Sequence, residues 1–543
     1  MRLDYHATTG AFSIRVPRAE SILIQDLMES HGLDFSTRAS TPSEAVLLTH
    51  DPYAAVAFWQ HATPEAQAQL IGLNREIDLS WATESQGHIK CPANQELSPF
   101  QIAGVEYALR RKNTLVGDVP GLGKTMQAIC FCNEVDARRI LVVCPANIRL
   151  QWCRKIREWS TMVWPYHVYP VLAGRHGVHP TAAWTVVSYD LARTPAIHAA
   201  LARGSYDVLI LDEGHYLKTV DARRTRAIFG GGRRDGPPSL ASRSGAILAL
   251  TGTPLPNRPR EAFTLARGLC PDAIDFMGED AFRQRFNPAI AREDENTGKV
   301  WVDERTGRHG ELQARLRVNF MVRREKHGPH GVMNQLKLPL FDIVHVEEDG
   351  PVKQALNAER MLDIDPEFLP GPSEPDFGAI ATVRRMMGVA IAPHAADYVE
   401  MCLLGGEDKV VVFGHHIEVL NIIQARLQEY GVVRIDGSTS PARRQAIIDQ
   451  FCNDPSKRVC LGNLISMGTG TDGLQHVASH AIFAEPDWTP GVNIQGVDRL
   501  DRHGQTEAVQ ADFLVAPGSF SEKILRRSLE KAATIEKALD KRF

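Results

Sequence analysis

From about residue 114 the chain alternates short, nearly unbroken apolar runs with longer stretches of helical periodicity: TLVGD, ILVVCP, WTVVSYD, DVLILDE and AILALTGT. Runs rich in Val, Ile and Leu, bounded by turn residues and separated by helices, predict parallel strands buried on both faces. A second series begins near residue 409 with KVVVFGH, VVRIDG, VCLGNL, HAIFAEP and ADFLVA. The chain is therefore expected to be an α/β protein that builds the same parallel-sheet lobe twice. The first ninety residues have another texture, with AFSIRVP, ESILIQDLMESHGLDF and EAVLLTHDPYAAVAFWQHA reading as a small α+β module set apart from the lobes.

These patterns predict an accessory domain over 1–90, a first lobe over 91–335 and a second lobe, with its linker and a C-terminal helix, over 336–543. Three segments interrupt the lobes. FGGGRRDGPPSLASRSG (229–245) has the Gly, Pro and Ser content of an exposed loop, and DPEFLPGPSEPDFG (365–378) reads as a proline-rich connector. REDENTGKVWVDERTGRHG (292–310) has two polar arms meeting around NTGK and predicts a projecting β-hairpin, an insert spanning about 288–312.

Composition adds limits. At 543 residues and 43% hydrophobic content the chain exceeds what one core accommodates, so several domains are expected. The formal charge of −4 means that any nucleic-acid site must gather its positive charge locally. Nine cysteines without a CxxC pair fit a reducing, cytoplasmic compartment rather than a disulfide framework. No run reaches the roughly 18 apolar residues of a membrane span, so no membrane partner is expected.

The chemistry is concentrated in LVGDVPGLGKTMQAI (115–129), where an apolar strand runs through Gly121, Leu122, Gly123, Lys124 and Thr125 into a helix. Glycines let backbone N–H groups face phosphates, and the helix N-terminus adds positive potential. In such a loop Lys124 meets the β and γ phosphates of ATP and Thr125 ligates Mg²⁺. Asp118 stands where the general GxxxxGK[ST] pattern has its first glycine. A second strand, DVLILDEGHYLK (207–218), ends in Asp212 and Glu213. A phosphate-loop ATPase needs one acid for Mg²⁺, here Asp212, and another to orient the attacking water, here Glu213. His215 reads either as a packed histidine or as a coupler between the ATP and nucleic-acid sites.

With GLGKT, DEGH and LTGTPLPNRPRE (250–261) in order, the sequence resembles a superfamily II helicase motor of the SWI/SNF type. The resemblance spans about 95–515. It includes LSPFQIAGVEYAL (97–109), CPANIRLQW (144–152), VVSYDLA (186–192), FMVRREK (320–326), RIDGSTSPARRQAIIDQF (434–451), SMGTGTDGLQ (466–475) and QGVDRLDRHGQ (495–505). It departs from the family at Val119 and Pro120, where Glu and Met are usual, and in MGTGTDGLQ, where RAGGLGINL is usual; neither change removes a phosphate ligand. The resemblance implies two RecA-like lobes with ATP between them. It implies that Gln101 reads adenine, that Gly473 and Gln495 join the nucleotide set, and that Arg499 and Arg502 are arginine fingers from the second lobe. Planar guanidinium donors suit the charge that spreads over a transferring γ-phosphate. Without the other motifs, two arginines on a surface helix balanced by Asp498 and Asp501 would need no such role.

Members of this family move along double-stranded DNA through backbone contacts. That implies small residues near helix starts as phosphate contacts: Pro145, Ser188, Thr251, Gly252, Thr253, Gly437, Ser438 and Thr469. The clusters RRTR (223–226), RRD (233–235) and VRREK (322–326) either add charge to that surface or are solvated loops. The insert and the N-terminal module resemble the HepA-related annealing-helicase branch, which implies a monomeric DNA-dependent ATPase acting on double-stranded or branched DNA. The absence of a recognisable chromatin-reading module suits a bacterial or phage protein. A strand-separating DNA or RNA helicase and a nucleotide-gated scaffold without turnover are the competing readings. Residues 1–90 are expected to be removable without loss of duplex-stimulated hydrolysis.

Overall fold

The computed structural model describes residues 1–30, 35–41, 43–162, 168–231, 238–252, 259–293, 300–304, 308–327, 331–333, 337–362, 377–467 and 473–526. Residues 232–237 of the loop at 229–245, the hairpin tip at NTGK, most of the connector at 365–378 and most of the expected C-terminal helix fall outside them.

Four strands, β1 (Arg2–His6), β2 (Ala11–Pro17), β3 (Ser36–Ser40) and β4 (Glu44–Thr49), form an antiparallel sheet in the order β1-β2-β4-β3. In β4 the inward positions Ala45, Leu47 and Thr49 are buried, as a two-residue period requires. The helix Pro64–Trp81 starts with Pro64 behind the cap Thr63, whose hydroxyl accepts from Ala66 N. Ala66 and Leu70 close the small core over Leu3, Phe12 and Ile14.

The first lobe is a seven-stranded parallel sheet. Its strands are β5 (Asn113–Val116), β6 (Ile140–Cys144), β7 (Val168–Val171), β8 (Trp184–Ser188), β9 (Tyr206–Asp212), β10 (Ser244–Leu250) and, after the antiparallel hairpin β11 (Ala289–Glu293) and β12 (Val300–Glu304), β13 (Met321–Val322). The order is β13-β5-β10-β9-β6-β8-β7. Cα pairing sets Leu250 beside both Val116 and Asp212, so the loops after β5, β9 and β10 leave the same sheet edge side by side. Ligands of open α/β sheets bind at such carboxyl ends. The second lobe is a six-stranded parallel sheet of β14 (Leu340–His345), β15 (Val410–Gly414), β16 (Val432–Ile435), β17 (Val459–Asn463), β18 (His480–Phe483) and β19 (Gln510–Val515), in the order β14-β19-β18-β15-β17-β16. Each lobe has a core on either face of its sheet. No described helix is long and apolar enough to cross a membrane.

The N-terminal module is not set apart as its texture suggested. The last turn of the helix Pro64–Trp81 enters the first lobe, where Ile77 and Trp81 pack with Tyr53 against Ala314 of the helix His309–Asn319. The fully buried Arg317 guanidinium lies 3.5 Å from the Trp81 ring centroid and donates to Ser80 Oγ at 3.0 Å and to Arg323 O at 3.0 Å. Ser80 Oγ donates to Met321 O at 2.7 Å, and Ser80 O accepts from Arg323 N. Residues 1–90 therefore supply wall to the lobe, and removing them would bare the buried Arg317. Trp81→Ala is expected to lower stability by about 3–5 kcal/mol through the cavity and the loss of the stacked cation. Denaturant unfolding with circular dichroism checks this; a midpoint equal to wild type would return the module to independence.

Candidate nucleotide and DNA sites

The strand β5 ends at Val116, and the loop that follows reaches the helix Lys124–Glu134 through Gly121 (φ 88°) and Gly123 (φ 76°). Only glycine adopts this region freely. Close packing excludes a side chain as well: a Cβ on Gly123 would stand 2.3 Å from Gln101 Nε2, and one on Gly121 3.0 Å from Arg502 Cβ. Lys124 Nζ folds back to donate to Asp118 O at 2.8 Å and Val119 O at 3.3 Å. Burial lowers its pKa against the pull of Glu213, Asp118 and Asp212.

Asp118, the departure from the general pattern, is a fully buried anchor. Its carboxylate accepts from Arg324 Nε at 2.8 Å, from Arg324 N at 2.9 Å and from Gln127 Nε2 at 2.8 Å. A buried carboxylate met by a guanidinium fork and an amide is a satisfied one. Next to it, Arg323 Nη1 donates to Gly117 O at 2.7 Å and Gly252 O at 3.3 Å. The cluster VRREK therefore holds the loop from beneath, with Arg323, Arg324 and Lys326 all buried, and does not present charge to DNA.

Asp212 Oδ2 accepts from Trp152 Nε1 at 2.6 Å and Oδ1 from Glu213 N at 3.0 Å. Burial, then the neighbouring Glu213, pushes the Asp212 carboxyl up to about 6. Burial also pushes Glu213 upward, but His215, Lys124 and Arg499 outweigh it and hold that carboxyl below its ordinary value. The two adjacent acids are thus driven apart, the pattern that separates roles in a site. Glu213 has φ 51°, a left-handed conformation costing about 1–3 kcal/mol outside glycine. His215 Nδ1 lies 3.2 Å from Glu213 Oε2 and 3.1 Å from Thr251 Oγ1, linking the acid to the loop after β10.

Gln101 Oε1 accepts from Ser98 N at 2.9 Å and its Nε2 donates to Leu122 O at 3.1 Å, so it ties the helix Pro99–Leu109 to the phosphate loop. A cleft of about 160 Å³ brings Gly121, Gly123, Lys124, Thr125, Asp212 and Glu213 of the first lobe together with Gln495, Arg499 and Arg502 of the second. The Thr125 hydroxyl and the Asp212 carboxylate on its wall suit Mg²⁺ carried by a nucleotide. The two lobes meet at this cleft, where a Cβ on Gly121 of the phosphate loop would come within 3.0 Å of Arg502 Cβ. Gly473 is not brought to this cleft: at φ 116° it packs toward Ile448 and Cys452 of the helix Pro441–Asn453.

The two arginines do not stand on a helix. The helix Pro490–Val497 ends just before them, and 498–502 continues in tight turns. Asp498 and Asp501 do not balance them at a surface either. Both aspartates are buried and face Lys326 of the first lobe, whose Nζ donates to Asp498 Oδ1, to Asp501 O and, at 3.0 Å, to Asp501 Oδ2. His327 Nε2 lies 3.1 Å from Asp501 Oδ2. This cross-lobe cluster was missed because its members are far apart in sequence; the repeated Asp-before-Arg step was the available signal.

The expected DNA contacts divide. Gly437 and Ser438 are exposed, in a turn where Ser438 N and Oγ both donate to Asp436 Oδ1. Pro145, Ser188 and Thr251 are buried. Ser188 Oγ is spent as a helix cap for Leu191 N, Thr251 Oγ1 faces His215, and Gly252 lines the nucleotide cleft. Thr253 and Thr469 lie outside the described residues. RRTR forms the start of the helix Arg223–Phe229, with Arg224 over the Tyr216 ring, and RRD lies outside the described residues.

Residues 100–339 match the SNF2-related domain and 395–504 the helicase conserved C-terminal domain. The chain is 30% identical over 434 residues to the bovine (Bos taurus) DNA annealing helicase and endonuclease ZRANB3, covering 78% of this chain and 39% of that protein. It is 30% identical over 473 residues to the SWI/SNF-related matrix-associated actin-dependent regulator of chromatin subfamily A-like protein 1 of Xenopus tropicalis, covering 85% of this chain and 46% of that one. The chain thus spans less than half the length of these two relatives. Among solved structures, the Sulfolobus solfataricus SWI2/SNF2 ATPase core in complex with dsDNA aligns over 85% of this chain and 100% of its own at 18% identity and a TM-score of 0.39. Animal relatives give no support to the expected bacterial or phage source.

Proposed function

We propose that the chain, whose two lobes match the SNF2-related domain and the helicase conserved C-terminal domain, is a SWI/SNF-type motor of helicase superfamily II: an ATP-dependent double-stranded DNA translocase that rewinds or remodels branched DNA. The meeting of Lys124, Asp212 and Glu213 with Arg499 and Arg502 across one cleft carries this reading. In it, Lys124 leaves the loop carbonyls of Asp118 and Val119 for the β and γ phosphates, and Thr125 and Asp212 hold Mg²⁺. Glu213, oriented by His215, directs the attacking water. Arg499 and Arg502 neutralise charge developing on the γ-phosphate. Bound ATP supplies the phosphoryl group whose transfer drives the cycle. Because the two sets of residues sit on different lobes, turnover is tied to closure, and closure displaces one DNA grip against the other.

The contact from His215 to Thr251 supports coupling between the acid and the loops that follow the strands. Similarity to the bovine DNA annealing helicase supports the annealing assignment, and the match to the SNF2-related domain supports action on duplex DNA. Among the expected DNA contacts that lie in the described residues, Gly437 and Ser438 are exposed, which suits them to meet a backbone phosphate. A reducing, cytoplasmic compartment fits the nine cysteines outside any disulfide.

Binding dominated by phosphates gives an affinity that falls linearly with salt on logarithmic axes and barely responds to sequence. Fluorescence anisotropy on several duplexes at matched salt checks this, and a strong sequence preference would count against a motor that tracks the backbone. A fork with fluorophore and quencher on its two arms tests the direction of the work. ATP is expected to bring the arms together, whereas ATP-driven separation would favour the strand-separating alternative.

A further inference from the structure

Lys326 lies in the segment by which the chain leaves the first lobe, four residues after Val322 closes β13. Its ammonium crosses to the second lobe and sits between Asp498 and Asp501, with all three side chains at most 8% exposed. Each aspartate immediately precedes one of the two cleft arginines. The backbone here has left the helix Pro490–Val497, so no continuous helical ladder holds the arginines in place. The ammonium also accepts the backbone into its grip by donating to Asp501 O. On the first-lobe side, a Cβ at Gly121 of the phosphate loop would meet Lys326 Cε at 3.1 Å and Arg502 Cβ at 3.0 Å. Phosphate loop, lysine and arginine turn are therefore in direct contact.

Burial pushes the Asp498 carboxyl up against the pull of Lys326, while Asp501, also pushed up by burial, is held down on balance by His327 and Lys326. Without the lysine, two carboxylates one turn apart would face each other in a dry interface and drive it open.

We propose that Lys326, seconded by His327, is a positioning residue for hydrolysis: it pins the turn 498–502 to the phosphate loop so that Arg499 and Arg502 enter the cleft in register when the lobes shut. It acts through the arginines and is not itself placed against the phosphates. This rests on the proposed ATPase reading, since it assigns a means of delivering the fingers. It also predicts a property independent of turnover, the compactness of the two lobes.

The test uses the full chain. Lys326→Met should lower DNA-stimulated kcat by about 10²-fold, the scale of a misplacement of about 1 Å in a catalytic group, with the KM for ATP and duplex affinity within several-fold of wild type. Lys326→Arg, which keeps a cation between the aspartates, should recover most of that loss. Small-angle X-ray scattering without nucleotide should show a larger radius of gyration for Lys326→Met than for wild type. If Lys326→Met melts near the assay temperature, Asp501→Asn, which keeps the side-chain size, should show the same fall in kcat. The proposal is overturned if Lys326→Met, or the folded Asp501→Asn, turns over at the wild-type rate. It is equally overturned if Lys326→Arg is as slow as Lys326→Met while scattering stays unchanged. Absence of ATP hydrolysis by the wild type itself would sink the ATPase reading, and scattering would then decide the latch alone.

Discussion

Arg502→Ala is expected to reduce DNA-stimulated ATP turnover by about 10³ to 10⁵, while ATP and duplex affinities stay within several-fold of wild type. The split follows from when the charge is needed. A guanidinium from the opposite lobe contributes most as charge spreads over the transferring phosphoryl oxygens, so its removal raises the barrier more than it weakens the ground state. Arg502 is placed for this by its contact with the phosphate loop, its Cβ being the nearest neighbour a side chain at Gly121 would meet. Arg499 also lines the cleft, and its charge is felt by Glu213. Arg499→Ala is therefore expected to fall in the same direction, and the larger of the two losses identifies the nearer finger. Steady-state hydrolysis at saturating duplex, paired with nucleotide-binding measurements, makes the comparison. If both single variants turn over normally, the arginines are not fingers, and their place in the cleft has another reason.

Lys124→Ala and Glu213→Gln should fail differently. Lys124→Ala removes the one loop ammonium held over the carbonyls of Asp118 and Val119, and nucleotide binding should be lost or severely weakened. Glu213→Gln keeps the size of the side chain and its contact with His215 but removes the carboxylate that directs water. Binding should survive while turnover drops by about 10² to 10⁴. Equilibrium titration with a fluorescent ATP analogue and single-turnover hydrolysis separate the two failures. Wild-type turnover in Glu213→Gln would move the catalytic role to Asp212 or away from this pair.

The central strands of both lobes were legible because burial on two faces leaves a continuous apolar run, as in ILVVC and VVVFG. The strands that escaped notice have physical reasons to be quiet. β7 carries Pro170 and lies on a sheet edge, β13 is two residues long, and β14 is an edge strand whose side chains are exposed or only half-buried. Lys124, Asp212 and Glu213 were readable since their motifs follow β5 and β9, which the register through β10 sets near each other; Arg499 and Arg502, just past the helix Pro490–Val497, were legible through the family resemblance. The DNA contacts were less so. A small polar residue near a helix start can meet a phosphate or cap its own helix, and Ser188 does the second while Ser438 stays open. Lys326 was invisible for another reason. A basic residue in VRREK looks the same whether it faces solvent or two aspartates some 172 residues further along the chain.

The most direct test of the account is the rate of ATP hydrolysis by the full chain with no nucleic acid, blunt duplex DNA, forked DNA, single-stranded DNA and RNA at one salt concentration. Duplex and forked DNA are expected to raise the rate well above the unstimulated one, and RNA is expected to leave it nearly unchanged. A rate that ignores every nucleic acid, or that rises with RNA alone, would contradict a double-stranded DNA translocase.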